Sequence, residues 1–205
     1  KNAYSGCIVS SVSDGSKDSL NKFLNRMDCA FIPNPVFDSH FIRVCTQKKA
    51  IKQYNTKLLR LVYVGRLSSE KGIMWILKVL NKIKKTVHFT LDIYGTGYLE
   101  EEVKLFLCEN KLEHKIFLHG YVENLFEIYG DKDVLIQASE YEGFGLVVAE
   151  AIAFGVLPIV NDCKSGPKEI VKDFKYGYIY SKGDMDDFSL KIKLLSTKKV
   201  PNISV

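Results

Sequence analysis

Residues 133–161 read DVLIQASEYEGFGLVVAEAIAFGVLPIVN, and this stretch decides the fold. Asp133 to Ala138 is an apolar run of strand length, and a loop holding Gly143 and Gly145 follows. Leu146 to Phe154 is apolar at almost every position, and Val156 to Asn161 is a second strand-like run. A strand, a crossover helix and a second strand make a parallel pair. The alternation continues upstream. Leu58 to Val64 (LLRLVYV) reads as a buried strand, and Lys71 to Lys85 as a helix with Ile73, Ile76, Leu77, Leu80 and Ile83 at helical spacing. Val87 to Tyr94 and Ile116 to His119 read as strands, Tyr98 to Asn110 and Asn124 to Tyr129 as helices. Downstream come a helical turn at Pro167 to Lys172, a strand at Tyr178 to Ser181 and a last helix near Met185 to Leu195. The pattern predicts an α/β fold, a parallel sheet with helices on both faces. Ligands of such sheets sit beyond the carboxyl ends of the strands, so functional residues are expected in the loops that follow strands.

The chain has 205 residues, of which 46% are hydrophobic and 26% charged. That composition excludes disorder, collagen and coiled coil. The longest uncharged apolar run, Ala151 to Val160, is half the roughly 20 residues a bilayer span needs. Cys7, Cys29, Cys45, Cys108 and Cys163 form no CxxC pair and read as thiols of a reducing compartment. His40, His88, His114 and His119 lack metal-ligand spacing. The net charge of +5 suits an anionic ligand but is too dispersed to argue for nucleic acid. Lys82, Lys84 and Lys85 form a small basic cluster, read as a solvated helix end ahead of a lipid contact.

The first 57 residues depart from the alternation. Cys7 to Val12 fits a strand and Ser16 to Met27 a helix, Pro33-Asn34-Pro35 interrupts regular structure, and His40 to Thr56 is polar. Residues 1–57 are expected to be the end of another domain with a linker, and residues 58–205 the main domain. Lys1 is not an initiator methionine, and no signal-peptide pattern follows it, so the chain is expected to be a piece of a longer protein.

Four loops could carry chemistry. Gly65-Arg66-Leu67-Ser68-Ser69-Glu70-Lys71-Gly72 follows a strand and opens a helix, putting two cations where a diphosphate would need them. A plain βα turn with two solvated cations is the alternative. Gly95-Thr96-Gly97 invites a dinucleotide reading, but Glu100 stands where a third glycine belongs, and Glu101 and Glu102 would repel a pyrophosphate. In Ser139 to Glu150, two glycines expose backbone amides ahead of a helix predicted to be buried on all sides. Glu150 is the single charge in that helix and must accept hydrogen bonds; ribose hydroxyls or a structural Lys or Arg would both serve. A glycosidase pair of Glu142 and Glu150 is disfavoured. Such carboxyls lie about 5 to 9.5 Å apart, whereas eight residues of helix span roughly 12 Å. Ser165-Gly166-Pro167-Lys168-Glu169 is an anion loop or a simple Gly-Pro helix cap.

These pieces together resemble the donor-binding, C-terminal domain of a glycosyltransferase family 4 enzyme, over about Leu58 to Asp184. The resemblance rests on Gly65-Arg66-Leu67 with Glu70-Lys71-Gly72, Tyr94-Gly95-Thr96-Gly97, Leu118-His119-Gly120-Tyr121-Val122, Ser139 with Glu142-Gly143-Phe144-Gly145, Glu150-Ala151, and Gly166-Pro167-Lys168-Glu169-Ile170. It implies a Rossmann-like parallel sheet, one half of a GT-B fold, and a transfer that retains anomeric configuration without metal or cofactor. The implied roles are as follows. Arg66 and Lys71 hold the diphosphate of a nucleotide sugar, usually a UDP-sugar, and Glu142 faces the donor sugar. The backbone around Tyr121 and Val122 meets the base, amides from Gly145 to Val147 cap sugar and phosphate, and Glu150 takes the ribose hydroxyls. Gly65, Gly143, Phe144 and Leu146 complete the substrate-binding set, of which Arg66, Lys71 and Glu142 are the catalytic members. The Ser-Gly-Pro segment resembles bacterial hexosyltransferases of lipopolysaccharide or related glycans.

The resemblance also implies that a glycan or lipid-linked acceptor docks through an N-terminal domain outside this sequence. The chain alone is then expected to bind nucleotide and transfer little sugar, in the cytoplasm, with peripheral contact at the inner face of a plasma membrane left open. Pro33-Asn34-Pro35-Val36 would be the crossover between domains; Phe37 stands where the family usually has Asp, with Asp38 displaced by one. The competing readings are a non-catalytic nucleotide or lipid-surface binding module and a dinucleotide-dependent oxidoreductase.

Overall fold

The computed structural model describes residues 7–32, 34, 58–124, 127–172 and 176–197. Two sheets are present among them. Strands β1 (Ser10–Ser11) and β2 (Ala30–Phe31) pair in parallel around helix α1 (Asp14–Leu24). The larger sheet holds β3 (Leu59–Val64), β4 (Phe89–Tyr94), β5 (Ile116–Gly120), β6 (Val134–Gln137), β7 (Leu157–Asn161) and β8 (Tyr178–Tyr180). Its order is β5-β4-β3-β6-β7-β8, and every pairing is parallel. Helices α2 (Ile73–Ile83), α3 (Glu100–Glu109), α4 (Leu146–Ala153), α5 (Pro167–Val171) and α6 (Met185–Thr197) alternate with the strands.

The predicted α/β architecture is therefore the one observed. Every position of β6 and β7 is buried, as their continuous apolar runs require of central strands covered on both faces. From β3 the chain winds outward to β4 and β5, then returns to place β6 on the other side of β3. The strand order reverses at that point, the place beyond the strand ends where sheets of this kind take their ligands.

Three predicted elements differ in detail. The helix expected from Lys71 begins instead as a single tight turn, Ser69–Lys71, and α2 starts at Ile73. Gly72 between them has φ +69°, and a Cβ there would lie 2.5 Å from the Ala138 carbonyl oxygen, so only glycine lets this corner press onto the end of β6. The helix expected at Asn124 to Tyr129 is a short turn at Tyr129–Asp131 in its described part; Leu125 and Phe126 lie outside the described residues. The strand expected at Cys7 to Val12 is two residues long. Pro33, Pro35 to Asp38 and the polar stretch His40 to Thr56 also lie outside the described residues.

Two lysines of the basic cluster have partners within the chain. Lys82 Nζ pairs with Asp186 Oδ1 at 2.6 Å, and Lys84 Nζ donates to the Asn110 carbonyl at 2.6 Å. No helix among the described residues is long and apolar enough to cross a membrane.

At the opposite, amino end of the strands, buried Asp133 receives two hydrogen bonds from the Arg60 guanidinium, at 3.0 and 2.8 Å, and one from the Arg60 amide at 2.9 Å. Removing one partner of such a pair strands the other. Asp133→Asn should cost about 3 kcal/mol, the low end because Arg60 is partly exposed. That lowers the melting temperature by roughly 6–12 °C for a chain of this size, with ligand binding at the far edge unchanged; a thermal melt with a parallel binding assay checks it.

Candidate functional site

Among the cavities that the described residues form at the carboxyl edge of the sheet, two adjoin each other around the end of β3. The first, about 330 Å³, is lined by Tyr63 to Gly65 from β3, by Lys71, by Gln137 and Ser139 from the end of β6, and by Glu142 to Val147. Val12 and Asn34 of the N-terminal segment also line it. The second, about 320 Å³, is lined by Val64, Gly65, Arg66, Tyr94 to Thr96 and Tyr121 to Glu123. Val64 and Gly65 belong to both walls.

Glu142 is the electrostatic centre of the first cavity. Its Oε1 accepts from Lys71 Nζ at 2.6 Å, Ser139 Oγ at 2.8 Å and Gln137 Nε2 at 3.0 Å. The fold explains the convergence. Gly72 pins Lys71 over the end of β6, and Gln137, the last residue of that strand, and Ser139, two positions on, fall on one side of it. Gln137 and Tyr63 were not among the residues that motif spacing selects. Gln137 had a signal, since it is the one polar side chain within the run VLIQA. Tyr63 donates its hydroxyl to the Arg66 carbonyl at 2.8 Å and so holds the turn after β3; burial pushes that hydroxyl well above the ordinary tyrosine value.

Arg66 does not stand beside Lys71. It lines the second cavity, with its side chain 73% exposed and 3.5 Å from Glu70. Tyr121, also exposed, and Val122 share that cavity. The Gly95-Thr96-Gly97 turn has a structural task. The Gly65 amide donates to the Tyr94 carbonyl and the Leu67 amide to the Thr96 carbonyl, each at 3.0 Å. A Cβ at Gly95, where φ is +136°, would lie 2.0 Å from the Gly65 carbonyl oxygen. The glycines thus join the two loops, and Glu100 to Glu102 head α3.

Helix α4 is not buried on all sides, which corrects the expectation from its apolar sequence. Leu146 is 44% exposed, and Leu146 and Val147 face the first cavity. Glu150 lies three and four residues further along, hence on the same helical face, although it lines neither cavity itself. Its Oε2 is buried with no hydrogen-bond partner among the described residues, so no Lys or Arg among them satisfies that oxygen. Burial pushes its carboxyl above the ordinary glutamate value. Gly145 begins α4 without a side-chain cap, leaving the first amides of the helix for another acceptor. Among the described residues no group of three His, Cys, Asp or Glu could hold a metal ion.

A carboxyl with a raised folded-state value binds its proton more tightly in the folded chain than in the unfolded one. Its stabilising contribution is present below the ordinary value and lost as pH rises through the raised one. Glu150→Gln should therefore melt above wild type at neutral pH, by about 2–4 °C for about 1 kcal/mol, the low end because the side chain is partly exposed. The gain should vanish below the ordinary value of 4.5. Melting curves across this pH range check it; a less stable variant at neutral pH would contradict it.

Comparison with known proteins gives the fold a family. The family model of glycosyl transferases group 1 matches residues 46–202, more than half of the chain. The chain is 35% identical over 124 residues to the GtfA subunit of a UDP-N-acetylglucosamine–peptide N-acetylglucosaminyltransferase from Streptococcus pneumoniae, covering 60% of this chain and 24% of that protein. It is 26% identical over 178 residues to a poly(ribitol-phosphate) alpha-N-acetylglucosaminyltransferase from Staphylococcus aureus, covering 86% of this chain and 35% of that protein. The crystal structure of the pneumococcal O-GlcNAc transferase GtfA in complex with UDP and GlcNAc superposes with a TM-score of 0.78 at 23% identity, over 98% of this chain and 41% of that one, a likeness of fold. The chain thus spans about a quarter to a third of the length of these curated relatives. It belongs to the glycosyl transferases group 1 family.

Proposed function

We propose that this chain is the donor-binding half of a configuration-retaining family 4 glycosyltransferase, one that moves a hexose from a UDP-sugar to a glycan or lipid-linked acceptor. The observation that carries the reading is the buried, unpartnered Oε2 of Glu150, on the helical face whose preceding turn lines the first cavity. An unpaired buried carboxylate oxygen costs free energy, and a pair of ribose hydroxyls would relieve that cost. The neighbouring groups suit the rest of a nucleotide sugar. The second cavity, with Tyr121 and Val122, takes the base. Arg66 and the first amides of α4 meet the diphosphate, where positive charge and the helix terminus favour an anion.

Lys71 and Glu142 then form a pair that the donor rearranges. The leaving diphosphate draws Lys71 from the carboxylate, and Glu142 turns to a sugar hydroxyl. Catalysis on this reading is mostly charge neutralisation of the leaving group by groups already in place. Residues 1–57 belong, on the same proposal, to the end of an acceptor-binding domain and its linker. The isolated chain binds nucleotide and turns over far below the usual 1 to 1000 per second of enzymes. The UDP and GlcNAc held by the pneumococcal fold relative support this choice of donor.

Calorimetry tests the reading. UDP should bind the wild-type chain, and Arg66→Ala should weaken it by roughly 10- to 150-fold, the loss of one charge-assisted hydrogen bond of about 1.5–3 kcal/mol. Glu150→Gln should weaken UDP while leaving inorganic pyrophosphate unchanged. Equal losses for both ligands would remove Glu150 from the ribose, and an unchanged UDP affinity in Arg66→Ala would remove that residue from the site.

A further inference from the structure

Glu169 has a partner that local sequence cannot show. A helix begins with amides that no residue of the helix can satisfy. In α1 the Ser16 amide is capped by Ser13 Oγ at 3.2 Å. The two before it, on Asp14 and Gly15, donate to Glu169 Oε2 at 3.0 Å and Oε1 at 3.1 Å, across 155 and 154 residues of chain. Glu169 Oε1 also accepts from the Gly166 amide at 3.3 Å, so one carboxylate closes the starts of two helices. Around it the fit is close. A Cβ on Gly15 would lie 2.3 Å from the Lys164 carbonyl oxygen. Ser16 Oγ donates to the Gly143 carbonyl at 3.2 Å, and Ser165 Oγ to the Glu142 carbonyl at 2.7 Å. The contact is polar. Asn21 is the buried residue of α1, and the β1–β2 pair shares no strand with the main sheet.

We infer that Glu169 is a positioning residue, a latch that draws the N-terminal segment onto the Glu142–Gly143 loop and so closes the first cavity with Val12 and Asn34. This inference rests on the proposed nucleotide-sugar reading of that cavity. A latch of hydrogen bonds opens more readily than a buried apolar interface, because its groups regain water when they part. Ligand held by the loop and closure of α1 then favour each other reciprocally. Donor bound at Gly143 to Val147 tightens the amides of Asp14 and Gly15 on Glu169, and loss of Glu169 weakens the donor without removing any group that touches it.

The test is amide hydrogen exchange at Asp14 and Gly15, with and without UDP, together with UDP titration of the same chain. In wild type, UDP should slow exchange at both amides. Glu169→Gln, which keeps the shape but leaves one oxygen and sets an amide NH2 against one of the two donors, should abolish that slowing at one amide or both and weaken UDP by about 5- to 150-fold, the usual range of coupling between sites. Glu169→Asp should recover part of both effects. Gly15→Ala, which forces α1 off from the other side, should reproduce them while the amides of β6 and β7 stay protected. If Glu169→Gln frees either amide but leaves UDP affinity unchanged, Glu169 is only a helix cap and the latch is overturned. If wild type binds no UDP, the nucleotide reading falls instead. The latch is then judged on the ligand-free chain, where Glu169→Gln must also speed amide exchange across the Glu142–Gly143 loop for it to stand; faster exchange confined to the start of α1 would leave Glu169 a helix cap.

Discussion

Lys71 and Gln137 reach the same oxygen of Glu142 because β3 and β6 lie side by side where the strand order of the sheet reverses. The two loops leaving these strands have no crossover between them, so the crevice they frame is open at the edge. Gly72 tightens that arrangement. Its missing side chain lets the turn after β3 rest on the Ala138 carbonyl, which holds a cation over the end of β6. The remaining features of the site follow from this contact. The Tyr94 and Thr96 carbonyls of the β4 loop accept from the β3 loop, the β6 loop delivers Glu142, and α4 starts without a side-chain cap at the rim.

The site carries two opposed electrostatic conditions within a few residues. Glu142 gathers three donors on a single oxygen, Oε1. Glu150, one turn into α4, has a buried oxygen without a partner. A sequence selected for stability alone would not keep the second arrangement, since an isosteric amide there removes the charge at little steric cost. Local violations of polar satisfaction concentrate where a protein meets its ligand, and with the cavity walls beside it this is the physical ground for the proposal that Glu150 takes the ribose.

The sheet and its strand-end loops were legible because they depend on local composition. Apolar runs such as LVY and VLIQ are buried where they pair. Glu142 and Glu150 were legible as charges in an otherwise apolar or glycine-rich stretch. What spacing could not reveal was which partners meet across the chain. Arg66 and Lys71, five residues apart, separate into adjoining cavities because the tight turn at Ser69–Lys71 replaces a helical start. Glu169 reads as part of a Gly-Pro helix cap, yet two of its donors lie some 155 residues away. Leu146 and Val147 read as core by their apolarity, but a helix entering a site offers its first turn to the ligand.

The central claim is that one nucleotide spans both cavities. A crystal structure of the chain grown with UDP tests it most directly. The account predicts the base against Tyr121 and Val122, both ribose hydroxyls on the Glu150 carboxylate, and the diphosphate turned toward the first amides of α4 with Lys71 drawn off Glu142. UDP seated elsewhere on the sheet edge, or lying in these cavities with Glu150 still unpartnered, would contradict it.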